Sequence, residues 1–86
     1  MMLHIEYVDG SNPYIMYGNK KTVMKEWAWH EKRYPLARCL FVCNGLLCRR
    51  VAGGGYAVAK YFDGAHKSRF YEKLGNALNY MEKREQ

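Results

Sequence analysis

The chain begins with strict alternation of apolar and polar residues over 3–7. A period of two residues is typical of a β-strand with one covered face. An Asp-Gly-Ser-Asn-Pro run at 9–13 then supplies a strong turn, and a short apolar run occupies 14–17. Two short strands separated by a turn predict an N-terminal β-hairpin.

A helical period replaces the alternation after Gly18. Asn19 can accept a hydrogen bond from the first free amides of a helix that begins near Lys20. Pro35 ends this helix, because the residue before a proline is pushed out of helical geometry. The stripe that we expect to face the core consists of Val23, Trp27, His30 and Tyr34.

The first helix carries a second tryptophan that cannot share this stripe. Trp29 is two residues from Trp27, and at about 100° of rotation per residue it falls on the far side of the helix. Its neighbours there are Thr22, Lys25, Lys32 and Arg33. A bulky apolar ring among cations on a surface indicates a contact site.

The clearest hairpin signal lies in the middle of the chain, where Asn44-Gly45 separates two apolar runs at 37–43 and 46–51. Both turn residues tolerate positive φ, which a two-residue turn needs. The predicted register pairs Cys43 with Leu46, Val42 with Leu47, and Phe41 with Cys48. Both sheet faces are therefore apolar near the turn, and we expect that end to be covered on both sides or to meet a partner.

The last third of the chain predicts a loop, a strand and a helix. Gly53-Gly54-Gly55 forms the loop and 56–62 the strand, on which small Ala57 and Ala59 would let a helix pack closely. An amphipathic helix is expected from about His66 or Ser68 to Lys83. Its predicted apolar stripe is Phe70, Leu74, Ala77, Leu78 and Met81, and its opposite side carries Arg69, Lys73, Asn76, Tyr80 and Lys83.

The predicted element order is ββ-α-βββ-α, an α+β fold in which two helices cover an antiparallel sheet. The 86 residues, 49% hydrophobic and 15% aromatic, suit a single small domain spanning 1–86. Frayed ends are expected near 1–2 and 83–86.

Composition restricts the kinds of binding partner and the cellular compartment that we expect for this chain. A formal charge of +6 favours nucleic acid, an acidic protein surface or an anionic membrane, although the excess of Lys and Arg could also serve only solubility. No run approaches the length of a membrane span, and the N-terminus lacks the pattern of a signal peptide. Cys39, Cys43 and Cys48 form an odd set without a disulfide framework, so we expect the cytoplasm and no membrane.

The sequence offers little for metal, cofactor or catalytic chemistry. Cys39 and Cys43, four residues apart on a strand, would lie about 13 Å from each other, too far to share a zinc ion. His30 is expected to be a hydrogen-bonded core or boundary residue. Gly53-Gly54-Gly55 matches no phosphate-loop motif. We therefore expect no metal site, no cofactor and no enzymatic activity; a small cysteine and histidine enzyme is the third hypothesis.

Basic residues interleaved with aromatic ones supply the candidate site. Such surfaces suit a phosphate backbone with stacked or splayed bases. On this hypothesis Trp29 stacks or anchors, and Arg49, Arg50, Lys67, Arg69 and Lys73 neutralise phosphates. The full candidate set is Trp29, Lys25, Lys32, Arg33, Arg49, Arg50, Lys67, Arg69, Lys73, Asn76 and Tyr80.

Two resemblances accompany this hypothesis. The order helix, three strands, helix over 20–83, with His66-Lys67-Ser68-Arg69 opening the last helix, is similar to that of a double-stranded RNA-binding domain. The lysine-alanine pattern of that family is missing, and an extra hairpin precedes the first helix. In type alone, the small aromatic-rich domain resembles phage-encoded inhibitors of host defence such as anti-CRISPR proteins.

The leading hypothesis is a small non-catalytic binding module that contacts nucleic acid, or a complex that handles nucleic acid, through this basic and aromatic surface. The alternative is a phage-type inhibitor that blocks a host defence complex by protein contact. The sequence leaves open the strand order, the oligomeric state and whether the two basic helix faces form one surface.

Overall fold

A computed structural model describes residues 1–8, 12–60 and 68–83 of the chain. These residues form an α+β domain with a sheet and two helices, which confirms the predicted fold class. In chain order the elements are β1 Met2–Glu6, β2 Tyr14–Tyr17, α1 Lys20–Arg33, β3 Arg38–Cys43, β4 Leu46–Arg50, β5 Tyr56–Lys60, β6 Arg69–Tyr71 and α2 Leu74–Lys83.

The described strands make one antiparallel sheet in the order β2-β1-β3-β4-β5-β6. The central hairpin has the predicted register: Cys43 pairs with Leu46, and Val42 pairs with Leu47. Asn44 adopts a φ of 52° and Gly45 a φ of 75°, as a tight two-residue turn requires. The turn chemistry alone was therefore enough to place this hairpin.

Both helices pack on the same face of the sheet. One row of side chains on that face, Leu3, Phe41, Cys48 and Val58, runs across four paired strands and is almost fully buried. Val23 and Trp27 of α1 and Ala77, Leu78 and Met81 of α2 complete the core. The Lys20 ammonium donates a hydrogen bond to the Asn79 side-chain oxygen and links the two helices.

The segment before α2 differs from its prediction. Residues Arg69–Tyr71 form strand β6, which pairs with β5, and α2 begins only at Leu74. Four strands therefore separate the helices, instead of the three that the resemblance to a double-stranded RNA-binding domain implied. Backbone pairing with β5 overrides the helical spacing of Phe70, whose side chain is 59% exposed and outside the core. His66 and Lys67, expected at the helix start, lie outside the described residues.

Two smaller expectations also differ. Ala57 and Ala59 were expected beneath a helix, but they alternate with buried Val58 and so point to the face opposite the helices. The start of the chain was expected to fray, yet Met2 pairs with both Tyr17 and Val42. Contact with two neighbouring strands holds this terminus in the sheet.

The glycine loop makes one close contact that requires glycine. Gly55 has a φ of 85°, and a Cβ at this position would overlap the ring of Phe70. The ring therefore covers bare backbone, and both the dihedral angle and the space exclude a larger residue. This contact holds the Phe70 side chain of β6 over the end of the glycine loop.

Candidate interaction surface

Helix α1 places its two tryptophans in opposite environments, as predicted. Asn19 caps the helix by accepting a hydrogen bond from the Thr22 amide at 2.9 Å. Trp27 is 1% exposed, and its indole N–H donates to the Tyr56 hydroxyl at 3.0 Å. Trp29 is 49% exposed. The cap and the helical period together determine which ring reaches the core.

Exposed Trp29 is held in place by its neighbours on α1. The Arg33 guanidinium carbon lies 4.5 Å from the centre of its ring, a cation–π contact. The ring of His30 meets it edge-on at 4.9 Å. Lys25 and Lys32 are also exposed on this helix, so all three predicted cations share the outer surface with Trp29.

An apolar groove of about 320 Å³ adjoins Arg33 where α1 ends. Its lining residues are Tyr7, Val8, Arg33, Tyr34, Pro35, Leu36 and Ala37. Three of them are widely exposed: Val8 at 54%, Tyr34 at 45% and Leu36 at 77%. We call Trp29, Arg33, Tyr34, Leu36 and Val8 the Trp29 surface. The surface has two parts, the Trp29 indole and the apolar groove. Arg33 connects them, because it stacks on the indole and also lines the groove.

His30 supports this surface from below. It is 4% exposed, and its Nδ1 lies 2.6 Å from the Tyr7 hydroxyl. Its Nε2 lies 3.3 Å from a Glu26 carboxylate oxygen. A carboxylate only accepts, so Nε2 carries the proton that donates to it, and in the neutral ring Nδ1 accepts from Tyr7. The prediction of a hydrogen-bonded core histidine is confirmed.

The Tyr14 side chain extends this support to strand β2. Its ring centre lies 4.9 Å from that of His30. A hydrogen bond to the Glu26 carboxylate raises the pKa of the Tyr14 hydroxyl above its ordinary value. The underside of the Trp29 surface is therefore tied to the edge of the sheet where β2 lies.

A second basic and aromatic pair lies on the other side of the domain. The Arg69 guanidinium carbon is 4.8 Å from the centre of the Tyr80 ring, so a strand and a helix, rather than one helix, bring the two together. The ring of Tyr71 lies 6.1 Å from that of Tyr80. Lys73 and Asn76 are exposed near the start of α2. Lys67, predicted to join this group, is outside the described residues.

The two pairs lie toward opposite edges of the sheet. Trp29 sits on the side of α1 that meets β2 through His30 and Tyr14, whereas Tyr80 stacks against β6. Since β2 and β6 are the two edge strands, five inter-strand spacings of ~4.8 Å separate them, about 24 Å in all. The geometry does not join the two basic and aromatic groups into one surface.

The adjacent arginines of β4 belong to neither group. Arg49 is exposed on the sheet face opposite the helices. Arg50 points to the helical side, where its Nε lies 3.5 Å from a Glu31 oxygen and its Nη1 donates to the Pro35 carbonyl at 3.3 Å. These structural contacts occupy a side chain that was expected to neutralise phosphate.

The cysteines behave as small apolar residues of the sheet. Burial raises the pKa of the Cys39 thiol and that of the Cys48 thiol to about 12, which keeps both protonated. Cys43 is half-buried, and all three are free. Over the described ranges, no three His, Cys, Asp or Glu side chains come together as a metal site.

The described helices are also too short and too polar to cross a lipid bilayer.

Sequence reasoning missed the groove half of the Trp29 surface. Leu36 follows Pro35 and Val8 precedes a predicted turn, so both stand outside the periodic segments from which faces are assigned. An exposed apolar residue next to a proline was the available signal. What joins these positions is the end of α1 lying beside the end of β1, a tertiary contact.

No family model, curated protein or solved structure matches this chain. The assignment of a function therefore depends on the geometry of its own surfaces.

Proposed function

We propose that the protein is a non-catalytic binding module that docks on an acidic protein surface through the Trp29 surface. The observation that carries the proposal is the exposed indole with Arg33 stacked on it, next to an apolar groove. Tryptophan, tyrosine and arginine are the residue types that most often dominate the energy of protein interfaces.

The physical argument rests on preorganisation. Contacts from Arg33 and His30 restrict the Trp29 ring before any partner arrives, so less side-chain freedom is lost on binding. The groove beside it can accept an apolar side chain from the partner. Lys25 and Lys32, at the rim, would attract carboxylates and mainly raise the association rate.

A protein partner is favoured over nucleic acid because the cations are dispersed. A phosphate backbone is best followed by a continuous basic track. Here Arg33 and Arg69 lie toward opposite edges of the sheet, Arg49 is on the other sheet face, and Arg50 is engaged with Glu31 and Pro35. This division supports Trp29 as a protein anchor more than as a platform for bases.

A pull-down from a native lysate, with and without nuclease, tests the proposal when three chains are compared: wild type, Trp29→Ala and Tyr80→Ala. The second variant is a matched control, because it removes an aromatic ring that also stacks with an arginine, but toward the other edge of the sheet. We expect the wild type and Tyr80→Ala to capture the same protein regardless of nuclease, and Trp29→Ala to lose it.

Three outcomes would contradict this function. Capture that disappears after nuclease would point to a nucleic-acid tether. Equal capture by Trp29→Ala would show that the ring is not the anchor. Failure of the wild type to capture any protein would also count against it. Circular dichroism of each variant ensures that loss of capture is not loss of the fold.

A second candidate function is nucleic-acid binding at the β6 edge. The observation that favours it is the stack of Arg69 on Tyr80, with Lys73 and Lys83 exposed nearby in a chain of charge +6. Its test is the affinity for single-stranded and double-stranded oligonucleotides over a salt series. We expect log K to fall by about 0.7 to 0.9 per phosphate contacted, and a flat response would exclude this function.

The role that we propose for the docking module is to block the surface that it covers. A component of a nucleic-acid-handling complex is the partner class that we propose, in line with the phage-type inhibitors that the chain resembles in type. The three free thiols fit a reducing cytoplasm, which is the proposed location.

A further inference from the structure

The sheet face opposite the helices is apolar and has no described element packed on it; we call it the bare face. Two rows of mostly apolar paired residues cross it, and the exposed pair Glu6 and Arg38 adds a short charged row at one end. The first row is Tyr17, Met2, Val42, Leu47 and Ala59. The second row is Ile15, His4, Leu40, Arg49, Ala57 and Phe70. All of these side chains are half-buried or exposed, in contrast to the opposite face, where Leu3, Phe41, Cys48 and Val58 are buried.

The chemistry of the bare face differs from that of a nucleic-acid platform. Its centre is aliphatic, formed by Leu40, Val42 and Leu47, and offers no ring on which a base could stack. The aromatic side chains lie on the outer strands, with Tyr17 76% exposed and Phe70 59% exposed. An aliphatic centre of this kind is typical of the inner face of two packed sheets.

We propose that the bare face binds a second copy of this chain, so that two sheets pack face to face in a symmetric dimer. The inference is independent of the Trp29 surface, because α1 lies on the other side of the sheet. It also agrees with the expectation that the apolar end of the central hairpin is covered on both sides or meets a partner.

The size of the bare face suits a dimer. Six strands ~4.8 Å apart and about five residues long, at ~3.3 Å per residue, give a face of roughly 29 by 17 Å. Two such faces bury about 1,000 Å² in total, the size at which specific interfaces begin.

Charge favours this face for self-association. Each copy carries +6, so two copies approach most easily where their cations are fewest. The first row is wholly uncharged, Arg49 is the permanently charged residue of the second, and the opposite charges of Glu6 and Arg38 at the end of the face offset each other. A foreign acidic partner would instead be drawn to the lysines of α1.

A two-fold axis that crosses the strands between the two rows gives a consistent packing. It sets Val42 of one copy over Leu40 of the other, and Leu47 over the aliphatic stem of Arg49. With the sheets ~10 Å apart and alternate residues ~7 Å apart along a strand, the two Arg49 positions are separated by about 12 Å. The packing therefore does not force the two guanidinium groups into contact.

Analytical ultracentrifugation of nuclease-treated protein, at micromolar to submillimolar concentration, tests the proposal. We expect a concentration-dependent species of twice the 10.1 kDa chain mass. Val42→Glu should weaken the dimer by more than about tenfold, because the association would bury a carboxylate against Leu40 of the other copy. Leu36→Glu is the control: it also replaces an aliphatic side chain by glutamate, but at the Trp29 surface, and it should leave the dimer intact.

A second variant covers the case in which Val42→Glu fails to fold. Tyr17→Glu changes a side chain that is 76% exposed and should weaken the dimer without unfolding the chain. A wild type that remains monomeric throughout would overturn the proposal. So would a dimer that persists in both folded bare-face variants, or one that Leu36→Glu disrupts equally. A doubled mass that appears only before nuclease treatment would assign the bare face to nucleic acid instead.

Discussion

Trp27 and Trp29 are chemically identical and one turn of α1 holds both, yet one is 1% exposed and the other 49%. The first has its indole N–H satisfied by Tyr56 inside the core. The second contacts the guanidinium of Arg33 and the edge of the His30 ring. The helical period places one ring in the core and leaves the other on the surface.

On the function that we propose, this contrast separates folding from partner binding on one helix. Removing the inner ring should affect folding, whereas removing the outer ring should affect only contacts with other molecules. Variants at each ring and at their neighbours test that separation.

Trp27→Ala should lower the free energy of unfolding by about 3–5 kcal/mol, the usual cost of deleting a buried large aromatic side chain. Urea denaturation followed by circular dichroism measures it. Trp27→Phe, which keeps a ring but loses the N–H donor, should cost clearly less. A change below about 1 kcal/mol for the alanine variant would show that the inner ring is not part of the core.

The cysteines should show the same division between interior and periphery. Burial raises the pKa of Cys39 and Cys48 to about 12, so at pH 8 only about one thiol in ten thousand is ionised at either site. Half-buried Cys43 should therefore react first with iodoacetamide, as peptide mass spectrometry would reveal. Preferential labelling of Cys39 or Cys48 in folded protein would contradict this.

The raised thiol pKa values also imply an alkaline limit to stability. In the folded chain Cys39 and Cys48 hold their protons to about pH 12, whereas in the unfolded chain they ionise near the ordinary value of 9.0. Their contribution is thus complete below pH 9 and is lost as the pH rises from 9 toward 12. Urea midpoints over this range should fall, and less steeply in a Cys48→Ala variant.

Tyr56→Phe removes the hydroxyl that accepts from Trp27 and donates to Glu31 at 3.5 Å. The indole N–H then lacks its partner, which should cost about 1 kcal/mol of unfolding free energy. Tyr17→Phe, which removes a hydroxyl from a ring that is 76% exposed, is the control and should be neutral. Equal losses of unfolding free energy in the two variants would show that the hydrogen bond between Trp27 and Tyr56 does not stabilise the fold.

Trp29→Ala should have the smallest effect on stability, within about 0.5 kcal/mol, because the ring leaves no cavity when removed. The same urea assay measures it. A loss of several kcal/mol of unfolding free energy would show that the Trp29 ring stabilises the fold, contrary to the division proposed between the two tryptophans.

The sequence predicted well where the signal is local. The Asn44-Gly45 turn determined the register of the central hairpin, and the helical period assigned both tryptophans. Asn19 capped α1 as expected. Each of these features depends on residues within a few positions of one another, which is the range over which periodicity and turn chemistry act.

The errors arose where tertiary pairing decided the outcome. Arg69–Tyr71 fitted a helix by spacing, but this short strand exists because β5 offers a free edge. Leu40, Val42 and Leu47 are as apolar as the buried row, so the sequence did not indicate which sheet face the helices would cover. Arg50 lost its predicted role for the same reason, since its partners Glu31 and Pro35 are distant in sequence.

The turn residue Asn44 also has a consequence for the order of folding. Its side-chain nitrogen donates to the Met81 carbonyl at 2.9 Å and to that of Glu82 at 3.4 Å, at the last turn of α2. Hairpins close within microseconds, whereas contacts between distant segments form later because loop closure is costly. The β3–β4 turn is therefore suited to form first. Its Asn44 side chain is then in place to bind the last carbonyls of α2 when that helix docks.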